Sequence, residues 1–396
     1  MPKCKVSDFI FEFLRINNAS NIFLVPGGGN MHLTDSVKRN KKLSYTSFFH
    51  EQSATIAAES YSRTKNNLGV ALVTSGPGST NAITGVAGAW IESIPLIIIS
   101  GQVKTSDLIG KKKIRQNGPQ EVEIIKNINN ITKFSITIKS KKNVIKLIRK
   151  AVKEAISERA GPVWIDIPLD IQASQIIYSK KDLKKIQKTK KNYKFNLSTI
   201  LDEINNHDKP IILAGHGVRL SGSKEIFLKL IKKLNIPVLT TWNSIDLLEY
   251  GNRLNLGSPG VVARRHSNLI VQKSDLIISL GSSLNKIIVA FNERDFGRNA
   301  KKIIIDIDKF QLKKIKIPNS KKIHSCCNYF LNHFNNFLKN KKIKSFKPWI
   351  DECLILKRKF SNEFIDTNKI GTKIDHYYFT NLLSKSLVPN QIVSTG

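Results

Sequence analysis

Val73-Thr74-Ser75-Gly76-Pro77-Gly78-Ser79-Thr80-Asn81, read with Phe49-His50-Glu51-Gln52 one strand–helix unit earlier, decides the fold. Each stretch follows a short apolar or β-branched run and leads into a good helix former. The first ends a strand on a Gly-Pro-Gly turn; the second opens a helix on a carboxylate. Strand, turn and helix in repetition mean a parallel sheet covered on both faces. Such sheets take their ligands at the C-terminal ends of the strands. Pro26-Gly27-Gly28-Gly29, Glu51 and Gly76-Pro77-Gly78 all fall at such ends.

Working outward, the pattern predicts an amphipathic helix over 7–16 and strands at 21–25, 43–48, 69–74, 95–100, 134–138 and 163–167. Residues 172–193 turn lysine-rich and read as an interdomain linker. A second α/β pattern follows, with strands expected at 210–214, 237–240, 275–280 and 302–307. A connector at 335–347 leads to helices expected at 349–364 and 373–387, then to a strand start at 389–396. The expected class is therefore α/β: two successive doubly wound parallel-sheet domains, 1–175 and 195–335, plus the start of a third at 348–396. A strand start needs following helices to bury it, so the chain is expected to be a piece of a longer polypeptide.

The net charge is +34, a value that invites a nucleic-acid reading. The lysines are spread over nearly every segment together with Asn and Ile, and the clusters Lys111-Lys112-Lys113 and 180–191 carry no interleaved aromatics. A solvated basic surface is the expectation, with no nucleic-acid partner. The longest apolar run, 94–99, is too short to span a bilayer, so no membrane partner is expected either. Cys4, Cys326, Cys327 and Cys353 have no metal-ligand spacing, and the N-terminus has no signal-peptide core; a cytoplasmic protein is expected.

Glu51 has two readings. A carboxylate in the first helical turn is stabilised by the macrodipole, which needs no further role. In a crevice beside two glycine-rich turns, partial desolvation raises a carboxyl pKa and lets the group share a proton. Gly76-Pro77-Gly78-Ser79-Thr80-Asn81 lacks the third glycine of a dinucleotide fingerprint, and Ile97-Ile98-Ile99-Ser100 supplies no acid for a ribose, so an NAD site is disfavoured. What remains is a tight turn, or a bare-backbone loop that a flat ring can approach closely.

The ordered set Val25-Pro26-Gly27-Gly28, His50-Glu51-Gln52, Ala57-Ala58-Glu59-Ser60-Tyr61-Ser62-Arg63, 73–82, Ser93-Ile94-Pro95-Leu96, Ser100-Gly101-Gln102-Val103, Gln120-Glu121 and 161–168 resembles the pyrimidine-binding domain of thiamine-diphosphate enzymes of the acetolactate synthase type. The likeness covers 1–175 and continues more weakly through 195–335. It implies thiamine diphosphate as cofactor, with Glu51 as the catalytic acid that hydrogen-bonds N1′ of the aminopyrimidine. It also implies Pro26, Gly27 and Gly28 lining the pocket, Gly76, Pro77 and Asn81 near the pyrimidine, and Gln120 facing the substrate. The implied reaction is decarboxylation of a 2-keto acid with transfer of the acyl-anion equivalent, in a homodimer or homotetramer. A simple decarboxylase, a lyase on a sugar precursor and an inactive two-domain module stay open.

Departures qualify the likeness. The family's Gly-Asp-Gly with downstream Asn-Asn has the oxygen ligands Mg²⁺ prefers, yet no Gly-Asp pair occurs here. The Mg²⁺ ligands are therefore expected beyond residue 396. Gly281 is followed by Ser282-Ser283 where FAD-bearing members often have arginine; Arg264 and Arg265 fit either a phosphate contact or a solvated helix start, which leaves FAD open. A few residues between Gly110 and Gln120 look inserted relative to biosynthetic acetolactate synthases, as in relatives encoded with surface-polysaccharide genes.

Overall fold

The computed structural model describes residues 2–187, 191–360, 374–389, 391 and 393. The chain divides into two compact units, the first running to Tyr193 and the second beginning at Lys194, with residues 220–222 counted in the first.

The first unit contains strands β1 (Lys3–Lys5), β2 (Asn21–Leu24), β3 (Ser44–Ser47), β4 (Gly69–Val73), β5 (Leu96–Gln102), β6 (Phe134–Thr137), β7 (Pro162–Pro168) and β8 (Gln175–Ile177). Six of these form one parallel sheet in the order β3-β2-β4-β5-β7-β6. Alternate side chains feed opposite faces. Leu24, Leu72, Ile97, Ile99 and Ile165 join the helices Val6–Ile16 and Val144–Ile156 in one core, whereas Phe23, Ala71, Ile98 and Trp164 pack against Ala54, Ala58, Val86 and Ala89 in another. This two-sided burial is why the strands read as nearly continuous apolar runs. The order reverses between β2 and β4, whose C-terminal ends open a crevice in sheets of this kind.

The second unit holds β9 (Pro210–Ala214), β10 (Val238–Thr240), β11 (Leu276–Leu280), β12 (Lys301–Asp306) and β13 (Ser320–His324), all parallel, in the order β10-β9-β11-β12-β13. Its two faces again carry separate apolar cores. The architecture is thus α/β, two parallel sheets each with helices on both sides.

Three local expectations change. The segment that reads as a linker from 172 is in its first part structural: β8 pairs antiparallel with β1, Tyr178 packs edge-on to Phe9, and Leu183 and Ile186 lie on the first core. Isolated apolar residues among lysines suffice for this, without any regular period. The connector read at 335–347 is partly core as well, since Leu338 and Phe346 are buried. β13 has no counterpart among the expected strands; Lys321 and Lys322 are exposed on it, as suits an edge. The helix Lys347–Lys359 sits on the second unit, where Trp349 Nε1 donates to Pro210 O at 3.0 Å and Trp349, Ile350 and Cys353 are buried. Most of the strand start read at 389–396 lies outside the described residues.

Candidate active site

Three turns meet at the C-terminal end of the first sheet. The first, 25–30, is stapled by Asn30, whose Oδ1 accepts from Gly27 N–H at 2.9 Å and whose Nδ2 donates to Val25 O at 3.0 Å. Gly29 N–H donates to Thr74 Oγ1 at 3.1 Å, and Gln172 Nε2 donates to Gly29 O at 2.7 Å. A Cβ at Gly27 would fall 2.6 Å from Thr74 Cβ, so this loop needs bare backbone to lie on β4's end. Gly28, in contrast, faces open space, and Pro26 is exposed.

The second turn begins the helix Glu51–Lys65. His50 caps it in extended conformation, its Nδ1 accepting from Gln52 N–H at 3.2 Å. Glu51 occupies the first helical position and is half-buried. Asn81 Nδ2 donates to Glu51 Oε2 at 3.0 Å. Among the described residues no protein donor reaches Oε1. A Cβ at Gly78 would lie 2.9 Å from that Oε1, so the glycine keeps the space beside it clear.

The third turn places Gly76 at φ +60° with Pro77 as the first residue of a short helix ending at Asn81. Ser79 Oγ ties the turn to Thr74 O at 2.6 Å. A Cβ on Gly76 would come within 2.2 Å of Gln120 O, so the loop carrying Gln120 lies directly on the turn. Gln120 itself is exposed and has φ +55°. The structure therefore brings Glu51, Gly76, Pro77, Asn81 and Gln120 to one end of the sheet, with Pro26, Gly27 and Gly28 on the neighbouring loop.

Beneath this rim lies a buried carboxyl that the sequence reading did not single out. Asp166 on β7 accepts from Ser100 Oγ at 2.6 Å, Thr137 Oγ1 at 3.0 Å and Gln102 Nε2 at 3.2 Å. Burial pushes its pKa up to about 6 against the pull of these hydrogen bonds, with Glu121 adding to the rise. One polar residue inside the wholly buried run Pro162–Pro168 was the signal available. Asn30, Thr74 and Gln172 carry no such mark in the sequence.

Among the described residues, no three His, Cys, Asp or Glu side chains gather to hold a metal ion, and no helix is long and apolar enough to cross a membrane. In the second unit Arg265 stacks on Phe360, with its guanidinium 5.1 Å from the ring centre.

Residues 4–127 match the family model of the thiamine pyrophosphate enzyme N-terminal, cofactor-binding domain, and residues 197–333 match that of the central domain. The acetolactate synthase large subunit of Lactococcus lactis is 32% identical over 312 residues, covering 78% of this chain and 53% of its own length. Chloroplastic acetolactate synthase 2 of Nicotiana tabacum is 29% identical over 402 residues, covering 99% of this chain and 58% of its own. A probable acetolactate synthase large subunit of Methanococcus aeolicus is 33% identical over 314 residues, covering 78% of this chain and 51% of its own. The chain thus spans little more than half the length of these curated relatives. With two cofactor-family domains in series and acetolactate synthases as its relatives, the chain belongs to the thiamine pyrophosphate enzymes of the acetolactate synthase type.

Proposed function

We propose that this chain supplies the pyrimidine-binding half of an enzyme that decarboxylates a 2-keto acid such as pyruvate and transfers the acyl-anion equivalent to a second carbonyl, a reading supported by relatives named acetolactate synthase. The carrying observation is Glu51: one carboxylate oxygen is fixed by Asn81, and the other has no protein partner among the described residues, in the space that Gly78 leaves open. That arrangement fits a flat, nitrogen-bearing ring. Thiamine diphosphate, when bound, would supply a carbon acid whose conjugate base, formed by loss of its proton, adds to the keto carbonyl. Glu51 would hold or move a proton at the ring nitrogen N1′, with Asn81 fixing its orientation. Gly27, Gly28, Gly76 and Pro77 would bound the ring with backbone, and Gln120 would face the keto acid.

We place the diphosphate and Mg²⁺ ligands outside residues 1–396, a reading supported by the missing Gly-Asp pair and by the greater length of the relatives. FAD is not part of the proposal; Arg265 lies over the Phe360 ring, and Gly215 and Gly217 pack close to the backbone of Gly281. A homodimer or homotetramer is part of the proposal, supported by exposed Phe49, Ile56, Trp90 and Ile91 on or beside two helices that pack together. A cytoplasmic location is supported by four unbridged cysteines.

The test uses the chain joined to, or mixed with, a diphosphate-binding C-terminal domain. Glu51→Gln should retain the fold and self-association but slow proton exchange at the cofactor's C2, and product formation from pyruvate, by roughly 100-fold or more. Undiminished exchange would defeat the role of Glu51. Release of acetaldehyde without acetolactate would favour the simple decarboxylase, and sedimentation as a monomer would remove the oligomer.

A further inference from the structure

The excursion from Val103 to Val122 leaves β5 and returns at the helix Ile124–Ile128. One side chain closes its neck: the Gln102 carboxamide accepts from Val103 N–H at 3.0 Å and donates from Nε2 to Val122 O at 3.1 Å. The same Nε2 donates to the buried Asp166. Inside the excursion a second group gathers the chain. Glu121, only 8% exposed, accepts from Ile109 N–H at 2.6 Å on Oε1, and from Asn117 and Gly118 N–H at 3.1 Å each on Oε2. These donors flank the exposed tip 110–116 on both sides. Next to Glu121 stands Gln120, a non-glycine residue at φ +55°, with its carbonyl against Gly76. The chain holds a residue in that region only where surrounding structure imposes it.

We propose that Glu121 is a positioning residue: its carboxylate ties the two arms of the excursion together and thereby carries Gln120 to Gly76 in a preset conformation. It acts on the keto acid through Gln120 and leaves the cofactor's own contacts alone. This rests on the reading of Gln120 given under the proposed function. Carboxylate chemistry is required, because three converging N–H donors need acceptors on both terminal atoms. A glutamine of the same size offers one acceptor and turns an N–H₂ towards the remaining donor.

The first arm is hydrogen exchange on the 396-residue chain. In Glu121→Gln the amides of Ile109, Asn117 and Gly118 should exchange about tenfold faster or more, while those of β4 and β5 stay protected. The second arm is steady-state turnover of pyruvate in the form carrying a C-terminal domain. There KM for pyruvate should rise about tenfold with the half-saturating thiamine diphosphate concentration unchanged, as expected when substrate binding alone is loosened. Should Glu121→Gln unfold the first unit, Ile109→Pro removes the shortest donor and keeps the carboxylate; Leu108 already has φ −65° and ψ 141°, which suits a residue before proline. It should raise KM in the same sense. Retained protection of the three amides, or released amides with unchanged pyruvate kinetics, would overturn the role of Glu121. A wild-type enzyme without pyruvate turnover would instead overturn the reading of the site, and the substrate link with it.

Discussion

Replacing Asp166 by asparagine isolates the energetics of the buried network under the candidate site. Trp164 Nε1 donates to Ser100 Oγ at 2.8 Å, so the Ser100 hydroxyl is committed as donor to Asp166 Oδ1. Gln102 and Thr137 donate to Oδ2. Burial raises the carboxyl pKa from 3.8 to about 6. Between these values the folded chain holds a proton that the unfolded chain has released. The resulting stabilisation is full below about pH 4 and is lost as pH rises through about 6, with a size of about 3 kcal/mol at 1.36 kcal/mol per pH unit. Asparagine has nearly the same shape and does not titrate. Its oxygen can keep the Gln102 and Thr137 donors, while its N–H₂ turns the Ser100 hydroxyl just as the protonated wild-type carboxyl does at low pH. Wild type and variant should therefore be about equally stable near pH 4, and wild type the less stable by about 2–3 kcal/mol near pH 7. Glu12, Asp35 and Asp182, whose pKa values are lowered by their hydrogen-bond partners, give the opposite slope in both chains and cancel in the comparison. The assay is urea unfolding of both proteins across this range, read by pulse labelling of β5 and β7 amides so that the first unit is followed by itself. A difference constant to within about 1 kcal/mol from pH 4 to 7 would refute the reasoning.

Gly76→Ala should destabilise the first unit by about 2–5 kcal/mol, combining a backbone conformation that suits only glycine with overlap against Gln120 O, and should release the 109–118 amides to exchange; an unfolding midpoint like that of wild type would contradict this. Lys302 is 1% exposed, its Nζ has no hydrogen-bond partner among the described residues, and desolvation lowers its pKa. Lys302→Met should accordingly stabilise the second unit by about 1–3 kcal/mol at neutral pH, with the gain shrinking as pH rises and the native amine is already neutral. Calorimetric melting at neutral and alkaline pH checks both the sign and the trend.

Much of the candidate site is legible before any coordinates. Glu51 stands out as an acid at a strand-to-helix junction, and Gly76-Pro77-Gly78 as a turn that ordinary residues cannot make. Both depend on local backbone chemistry, which a linear sequence carries. The hydrogen-bonded floor is another matter. Ser100, Gln102, Thr137 and Asp166 come from three strands, and their partnership exists only once β5, β7 and β6 lie side by side. β1 and β8 are three-residue pieces far apart in the chain, too short to read as strands until each pairs with the other.

By itself, then, the sequence determined the α/β alternation, the two sheets and the glycine turns at their strand ends, because apolar periodicity and glycine's conformational freedom are properties of short segments. Only the tertiary structure decided that Asn81 holds one oxygen of Glu51 while the other stays open, that Gln120 rests on Gly76, and that Glu121 gathers both arms of the excursion. The first two contacts join residues 30 or more positions apart and the third closes a loop of a dozen, and such contacts are settled by how strands and loops stack rather than by any residue's immediate neighbours in the chain.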